Sequence, residues 1–323
     1  MTPAQLDERV VRYNDLKPCR TAFIDAHTPG SNQKENYTII GGGVSESADQ
    51  YVHLSIPHGF NIGAAAQPPM CKNSLHAHRT AEVFFVLTGR WRFFWGQSGD
   101  AGEVVLEPGD IFNIPTGIFR GFENIGDEYG MIMAILGGDD AGGGVEWAPQ
   151  VLAEAQAHGL VLSDKGRLYD TKRGEALPDG EMPMKLLNMN ELQAYPEPDS
   201  KQVVAGYVRR YWDMVAIADR NPVTVIGEEG IIRDKPGFEV HFLTRKSAQR
   251  EPLAHVRPSV LMPVRGDWKV EIDDFETILG AGDTMSVPEN AAYTVAPASD
   301  GGAALYRVVG TEDSAGPTWT SGH

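Results

Sequence analysis

Between residues 37 and 145 the chain alternates short apolar runs with turn residues: YTIIGGG, QYVHLSI, EVFFVLTG, WRFFWG, GEVVLEPGD, IFNIPTG and YGMIMAILGG. Each run is too short for a helix of ordinary length, and Gly, Pro, Asp or Asn closes nearly every one. Runs of this kind predict β-strands joined by tight turns. The same texture returns between 203 and 312, in PVTVIGEEG, FEVHFLTR, SVLMPVRG, WKVEIDD, ETILGAGD, TMSVPEN and ALYRVVG. Between the two regions, residues 146–202 read as a helical and then irregular connection. In APQVLAEAQAHGLVL, Pro149 stands near a helix start and Gly159 just past its end. Residues 1–36 read as an N-terminal arm and 313–323 as a C-terminal tail. The prediction is an all-β protein of two similar units with a short helical linker.

The two β regions carry the same landmarks in the same order. Gly89-Arg90-Trp91-Arg92 matches Gly266-Asp267-Trp268-Lys269, and Leu106-Glu107-Pro108-Gly109-Asp110 matches Leu279-Gly280-Ala281-Gly282-Asp283. Ile114-Pro115 and Val287-Pro288 follow at nearly the same offset, which reads as an internal duplication. With 36 glycines and 21 prolines the composition suits a turn-rich β architecture. A net charge of −16 without any basic run argues against nucleic acid and anionic membranes as partners. Cys19 and Cys71 are the only cysteines, and no apolar leader precedes the polar N-terminus, so a reducing, cytoplasmic setting is expected.

One stretch stands apart chemically. SLHAHRTAEVFFVLTG places His76, His78 and Glu82 before a glycine at 89. Residues two apart on a strand face the same way, so both imidazoles can point into one interior, with Glu82 in the same parity or brought round by a turn. Two imidazoles and a carboxylate form a facial triad that leaves open metal positions. His76-x-His78-x3-Glu82-x6-Gly89 matches the first cupin motif, and Gly109-x5-Pro115-x-Gly117-x6-Asn124 matches most of the second. The chain therefore resembles a bicupin, with two jelly-roll (double-stranded β-helix) barrels in one polypeptide. Similar two-barrel chains include quercetinase-like and gentisate-dioxygenase-like enzymes, oxalate decarboxylases and isomerases.

The resemblance implies one divalent transition metal (Fe, Mn, Ni, Cu or Zn, with Fe favoured) in the first barrel, on His76, His78 and Glu82. The family's usual further ligand, a histidine, is replaced here by Arg120. A guanidinium donates only and coordinates no cation. Three readings stay open: Arg120 orients a substrate anion beside the metal, His53 or His58 completes the site, or Arg120 pairs with Glu82 and no metal binds. In the second copy the ligand positions become Leu253, His255, Ser259 and Tyr293, and Asn124 becomes Pro297. That set binds no transition metal in any common way, so the second barrel is expected to be degenerate and His255 a hydrogen-bonded interior residue.

Phe84, Phe112, Phe119 and His58 are candidates for lining the first cavity, and the strand Trp91–Trp95 reads as core. GGDDAGGG (137–144) lacks the Lys-Ser/Thr ending of a phosphate loop and reads as a connector. The expected activity is that of a metal-dependent oxygenase acting on a small anionic, aromatic or enolic compound, with Arg120 as its anion-orienting residue. A lyase or isomerase using the metal as Lewis acid, and a metal-free small-molecule-binding protein, are the alternatives. A small-molecule substrate and a homodimer are the expected partners, the dimer because exposed sheet faces tend to pair.

Overall fold

A computed structural model describes residues 2–138 and 145–311. The expected C-terminal tail (313–323) and most of GGDDAGGG lie outside the described residues. The first barrel closes a five-stranded sheet onto a seven-stranded one. The smaller runs Glu146–Trp147, Lys72–Ala77, Arg120–Asn124, Trp91–Trp95, Gly102–Leu106. The larger runs Val208–Arg209, Ile111–Ile114, Glu82–Thr88, Gly130–Gly137, Phe60–Gln67, Glu35–Ile40, Val52–Leu54. The second barrel repeats this plan. Its large sheet runs Val10–Val11, Thr284–Val287, Ser259–Arg265, Ala304–Gly310, Phe238–Thr244, Val223–Gly227, Ile232–Arg233, and its small sheet Gln249–Leu253, Tyr293–Pro297, Trp268–Ile272, Phe275–Leu279.

The duplication holds residue by residue. Arg120 sits opposite His76 in one barrel and Tyr293 opposite Leu253 in the other. Glu82 faces Ile114, and Ser259 faces Val287. Alternation explains the strand Trp91–Trp95: Trp91, Phe93 and Trp95 are fully buried inside the barrel, while Arg92 and Phe94 lie on the outer face.

Two segments depart from the sequence reading. Residues 203–217 were expected within the second barrel, but Ser200–Tyr207 and Tyr211–Ile217 are helices, and that barrel's first strand begins at Val223. Val208–Arg209 between them pairs with Ile111 and Phe112 of the first barrel. In mirror fashion, Val10–Val11 of the N-terminal arm pairs with Met285 and Thr284 of the second. Each barrel is thus closed by a strap that precedes the other barrel's strands.

Both straps anchor on the aspartate of the repeated Gly-Asp turn. Arg12 Nη1 and the Tyr13 amide donate to Asp283, each at 2.9 Å. Arg210 Nη1 and the Tyr211 amide donate to Asp110 at 2.6 and 2.8 Å. The signal was present in the sequence as Val-Arg-Tyr at 11–13 and Arg-Arg-Tyr at 209–211, too short to detect before the register was known.

The glycine of that turn has two reasons to be glycine. Gly109 holds φ +87°, and a Cβ there would lie 2.3 Å from Tyr211 Cδ2; Gly282, at φ +89°, would meet Tyr13 at 2.6 Å. Gly109→Ala is expected to destabilise the chain by about 2–4 kcal/mol, combining left-handed strain with overpacking. Denaturant titration checks this, and a loss below about 0.5 kcal/mol would mean the strap moves aside freely.

The faces of the large sheets that point away from each barrel's interior bury against one another. Phe60, Ile62, Phe85 and Met133 of the first barrel and Val240, Phe242, Met262 and Tyr306 of the second form one core. Phe85 and Tyr306 rings lie 4.7 Å apart, and Tyr306 Oη donates to the Gly109 carbonyl at 2.7 Å. The apolar sheet faces that motivated a homodimer are therefore covered within the chain. Among the described residues no helix is long and apolar enough to cross a membrane.

Candidate metal centre

His76 lies on the strand Lys72–Ala77, His78 just beyond it, and Glu82 opens the next strand after a two-residue turn. The turn brings Glu82 back over the imidazoles, so one ligand atom from each residue lies within 4.8 Å of the others. On a metal with bonds of about 2.1 Å, neighbouring ligand atoms sit roughly 3.0–3.5 Å apart, so the triad needs to close by about an ångström. All three residues are 3–4% exposed.

Each donor is prepared by a neighbour. His76 Nδ1 lies 2.8 Å from the Ser74 carbonyl. A carbonyl only accepts, so Nδ1 carries the proton and Nε2 keeps its lone pair. Burial, then the charge of Arg120, holds the His76 pKa well below its ordinary value, so the imidazole is neutral as coordination requires. His78 Nε2 stands 3.5 Å from Glu82 Oε1.

Arg120 settles onto Glu82. Its Nε (3.1 Å) and Nη2 both donate to Glu82 Oε2, and Nη1 donates to the His76 carbonyl at 3.1 Å. At 1% exposure it is outside the cavity wall, which corrects the expectation that it orients a substrate anion. Its ion pair with Glu82 matches part of the metal-free reading, yet only one carboxylate oxygen is used. Oε1 remains directed at His78, so the pair fixes the rotamer of Glu82 while leaving a ligand atom. The donor set, its neutral imidazole and its enclosure fit a divalent metal.

The triad opens onto a cavity of about 60 Å³. At roughly 10–15 Å³ per water centre this admits only a few heavy atoms. Phe84, Phe122, Ala65, Ala134 and Leu136 form its inner wall, with Val44, Ser45 and Trp147 among the other lining residues. Of the four expected lining residues only Phe84 is there. Phe112 is packed among Phe93 and Trp95, and Phe119 stacks on Tyr195 at 4.4 Å. His58 bonds the Ile56 carbonyl and Ser286 Oγ across the barrel junction, and His53 sits between the Thr38 carbonyl and the Lys17 amide. Neither histidine completes the site; these bonds hold both of them elsewhere.

Sequence reasoning missed the support beneath the ligand strand. Buried Lys34 pairs with buried Asp25 and donates to Asn73 Oδ1 at 2.7 Å, while Asp25 Oδ2 accepts the Ser74 amide at 3.0 Å. The N-terminal segment thereby fixes the strand whose Ser74 carbonyl sets the His76 tautomer. No local pattern announces a pair whose partners meet a strand some forty residues on.

Behind the cavity, Glu46 accepts from Trp147 Nε1 at 2.6 Å and from the Ile24 amide at 2.8 Å. The residue as a whole is half-buried, with its carboxylate turned inward. Burial raises its pKa to about 8, against the lowering effect of those two bonds. An unfolded glutamate titrates near 4.5, so between 4.5 and about 8 the folded chain holds a proton that the unfolded chain has lost. Stability through this group falls as pH rises across that window. Glu46→Gln is expected to flatten the slope, measured by denaturation at pH 5, 6.5 and 8; parallel wild-type and variant curves would show Glu46 ionised throughout.

These features define a class: a two-barrel jelly-roll protein with one enclosed His-His-Glu centre and a second barrel without it. A family model described as a cupin domain matches residues 65–136, a span that contains the triad and Arg120. The fold is similar to Lactobacillus farciminis oxalate decarboxylase in its formate complex, at 13% identity and a TM-score of 0.55, covering 93% of this chain and 85% of that one. It is similar also to a substituted form of Bacillus subtilis oxalate decarboxylase, at 13% identity and 0.55, covering 94% and 77%. At such identity the likeness is one of fold. No curated protein sequence matches the chain. Residues 65–136 thus match a cupin domain, and the chain as a whole has a two-barrel fold similar to that of the bicupin oxalate decarboxylases.

Proposed function

We propose that the first barrel is a metal-dependent active site for a small anionic compound. The observation that carries this reading is the convergence of His76, His78 and Glu82 on one enclosed cavity. His76 Nε2, a nitrogen of His78 and Glu82 Oε1 would hold a single divalent metal, which supplies a Lewis-acid or redox centre with open positions. Arg120 acts through Glu82, fixing Oε2 so that Oε1 alone faces the site. The opposite charges of Glu82 and Arg120 cancel and the His76 imidazole is neutral, so a dication brings uncompensated positive charge into a buried site. An anionic substrate offsets that charge. Phe84, Phe122 and Leu136 exclude water from the remainder of the ligand and suit a compact, partly apolar molecule.

Oxygenase chemistry is the preferred reading, because three protein donors leave room for both substrate and dioxygen. Lyase chemistry is the second, supported by the fold shared with oxalate decarboxylases. Elemental analysis of protein purified without chelator is expected to give about one metal per chain. Absence of metal, together with no uptake of added Fe²⁺, Mn²⁺ or Zn²⁺, overturns the proposal. Oxygen uptake during turnover separates the two chemistries.

A further inference from the structure

The second barrel has lost the triad, and its interior has changed sign. In the first barrel Ala134 lies opposite Phe84 and Gly63, and both small residues line the cavity above the triad. At the equivalent crossing of the second barrel, Arg307 lies opposite Leu261 and His241. Bare wall has become a guanidinium and an imidazole, while the position of Glu82 has become Ser259. Leu261 and Leu305, on the face that Arg307 shares, belong to the interior core of this barrel, so Arg307 projects inward.

Arg307 is 4% exposed, and its Nε and Nη1 are buried without a hydrogen-bond partner. Ser259 Oγ, Tyr293 Oη and His255 Nε2 are buried and unpartnered in the same way. This also corrects the expectation that His255 is a hydrogen-bonded interior residue. The His255 and Tyr293 rings lie 6.0 Å apart, and the charge of Arg307 reaches both His255 and His241.

Among the described residues, the other fully buried Asp, Glu, Lys and Arg residues sit in ion pairs: Asp25–Lys34, Glu82–Arg120, Asp110–Arg210, Asp170–Arg173 and Asp283–Arg12. Arg307 alone has none. The nearby Glu239 carboxylate lies 3.3 Å from His241 Nε2 instead. A desolvated guanidinium without an acceptor is strongly destabilising, and so is each unpaired buried hydroxyl. A ligand that supplies the missing acceptors removes all of these penalties at once.

We propose that the second barrel is an anion site, in which Arg307, Ser259, Tyr293 and His255 bind a small monocarboxylate. One guanidinium supplies one positive charge. Burial and Arg307 hold His255 and His241 neutral, at about 4 and about 3, and the Glu239 carboxylate lies beside His241, so one guanidinium favours a monoanion over a phosphate dianion that it cannot neutralise. Leu243 stands where the first barrel has Ala65, and its added bulk on the interior face favours molecules of formate or acetate size. The second barrel is then a binding module in its own right beside the metal centre.

The test is thermal melting and calorimetry on the full-length chain with sodium formate, acetate, phosphate or chloride at constant ionic strength. Formate or acetate is expected to raise the midpoint saturably, in wild type and equally in His76→Ala, which silences the first barrel. Arg307→Met is expected to abolish that response, and Ser259→Ala and Tyr293→Phe each to weaken binding about tenfold. No saturable response to either carboxylate, loss of the response in His76→Ala, or survival of it in Arg307→Met overturns the proposal. Tighter binding of phosphate overturns the assigned class. Should Arg307→Met fail to fold, unchanged binding in both hydroxyl variants counts against the site in the same way. Failure of metal binding in the first barrel leaves this result untouched.

Discussion

Arg120→Met is expected to destabilise the metal-free chain by about 3–5 kcal/mol, the range found when one partner of a buried ion pair is removed. The reason lies in Glu82, which is 4% exposed and meets the guanidinium through Oε2. Without Arg120 the carboxylate stays desolvated with only the His78 imidazole near Oε1, and the His76 carbonyl loses a donor as well. The effect should depend on metal. A dication on the triad neutralises Glu82 directly, and removing a neighbouring positive charge strengthens its binding. Added metal should therefore narrow the stability gap between wild type and variant, since a ligand that binds only the folded state stabilises it by mass action. Denaturant midpoints with and without Mn²⁺ measure this. A variant as stable as wild type without metal would show that Glu82 does not rely on the pair. A gap that metal leaves unchanged would show that the triad is not a metal site.

The second large effect is expected in metal retention. His76→Ala removes a donor whose tautomer is preset by Ser74 and whose strand is fixed by Lys34 and Asp25. Loss of an outer partner alone weakens metal affinity about 10–100-fold, so loss of the ligand itself should exceed that and leave the purified protein without metal. His255→Ala, at the position equivalent to His78, should retain the full complement, because Ser259 and Tyr293 offer no matching donors. Metal content of both variants, measured alongside their melting curves, separates loss of ligation from loss of fold. The reverse pattern would place the metal in the second barrel.

The difference between the barrels rests on a handful of positions. Glu82 to Ser259 removes the carboxylate, Ala134 to Arg307 installs a cation, and Gly63 to His241 fills the wall. The surrounding sheets keep the same order and register, because strand pairing is set by backbone bonds and apolar alternation that these changes leave alone. One architecture can therefore hold, as proposed, a cation-binding interior and an anion-binding one within a single chain.

Read alone, the amino-acid sequence determined the features that depend on short spacing. The period-two placement of His76 and His78, the glutamate after a tight turn, the buried aromatic face of Trp91–Trp95 and the matching Gly-Asp turns follow from strand geometry over a few residues. The Asn124 that ends the second motif acts only partly locally: it accepts the Gly126 amide and donates to the Glu128 carbonyl, but it also donates to the distant Gln67 carbonyl at 2.9 Å. Tertiary structure decided what depends on which distant segments meet. It gave Arg120 to Glu82 rather than to the cavity, took Phe112, Phe119 and His58 out of the lining, crossed the two straps between barrels and buried Lys34 against Asp25. It also left Arg307 without a partner. A charged side chain is placed by the desolvation and pairing energies of its final surroundings, and those surroundings exist only once strands far apart in the chain have closed the barrel.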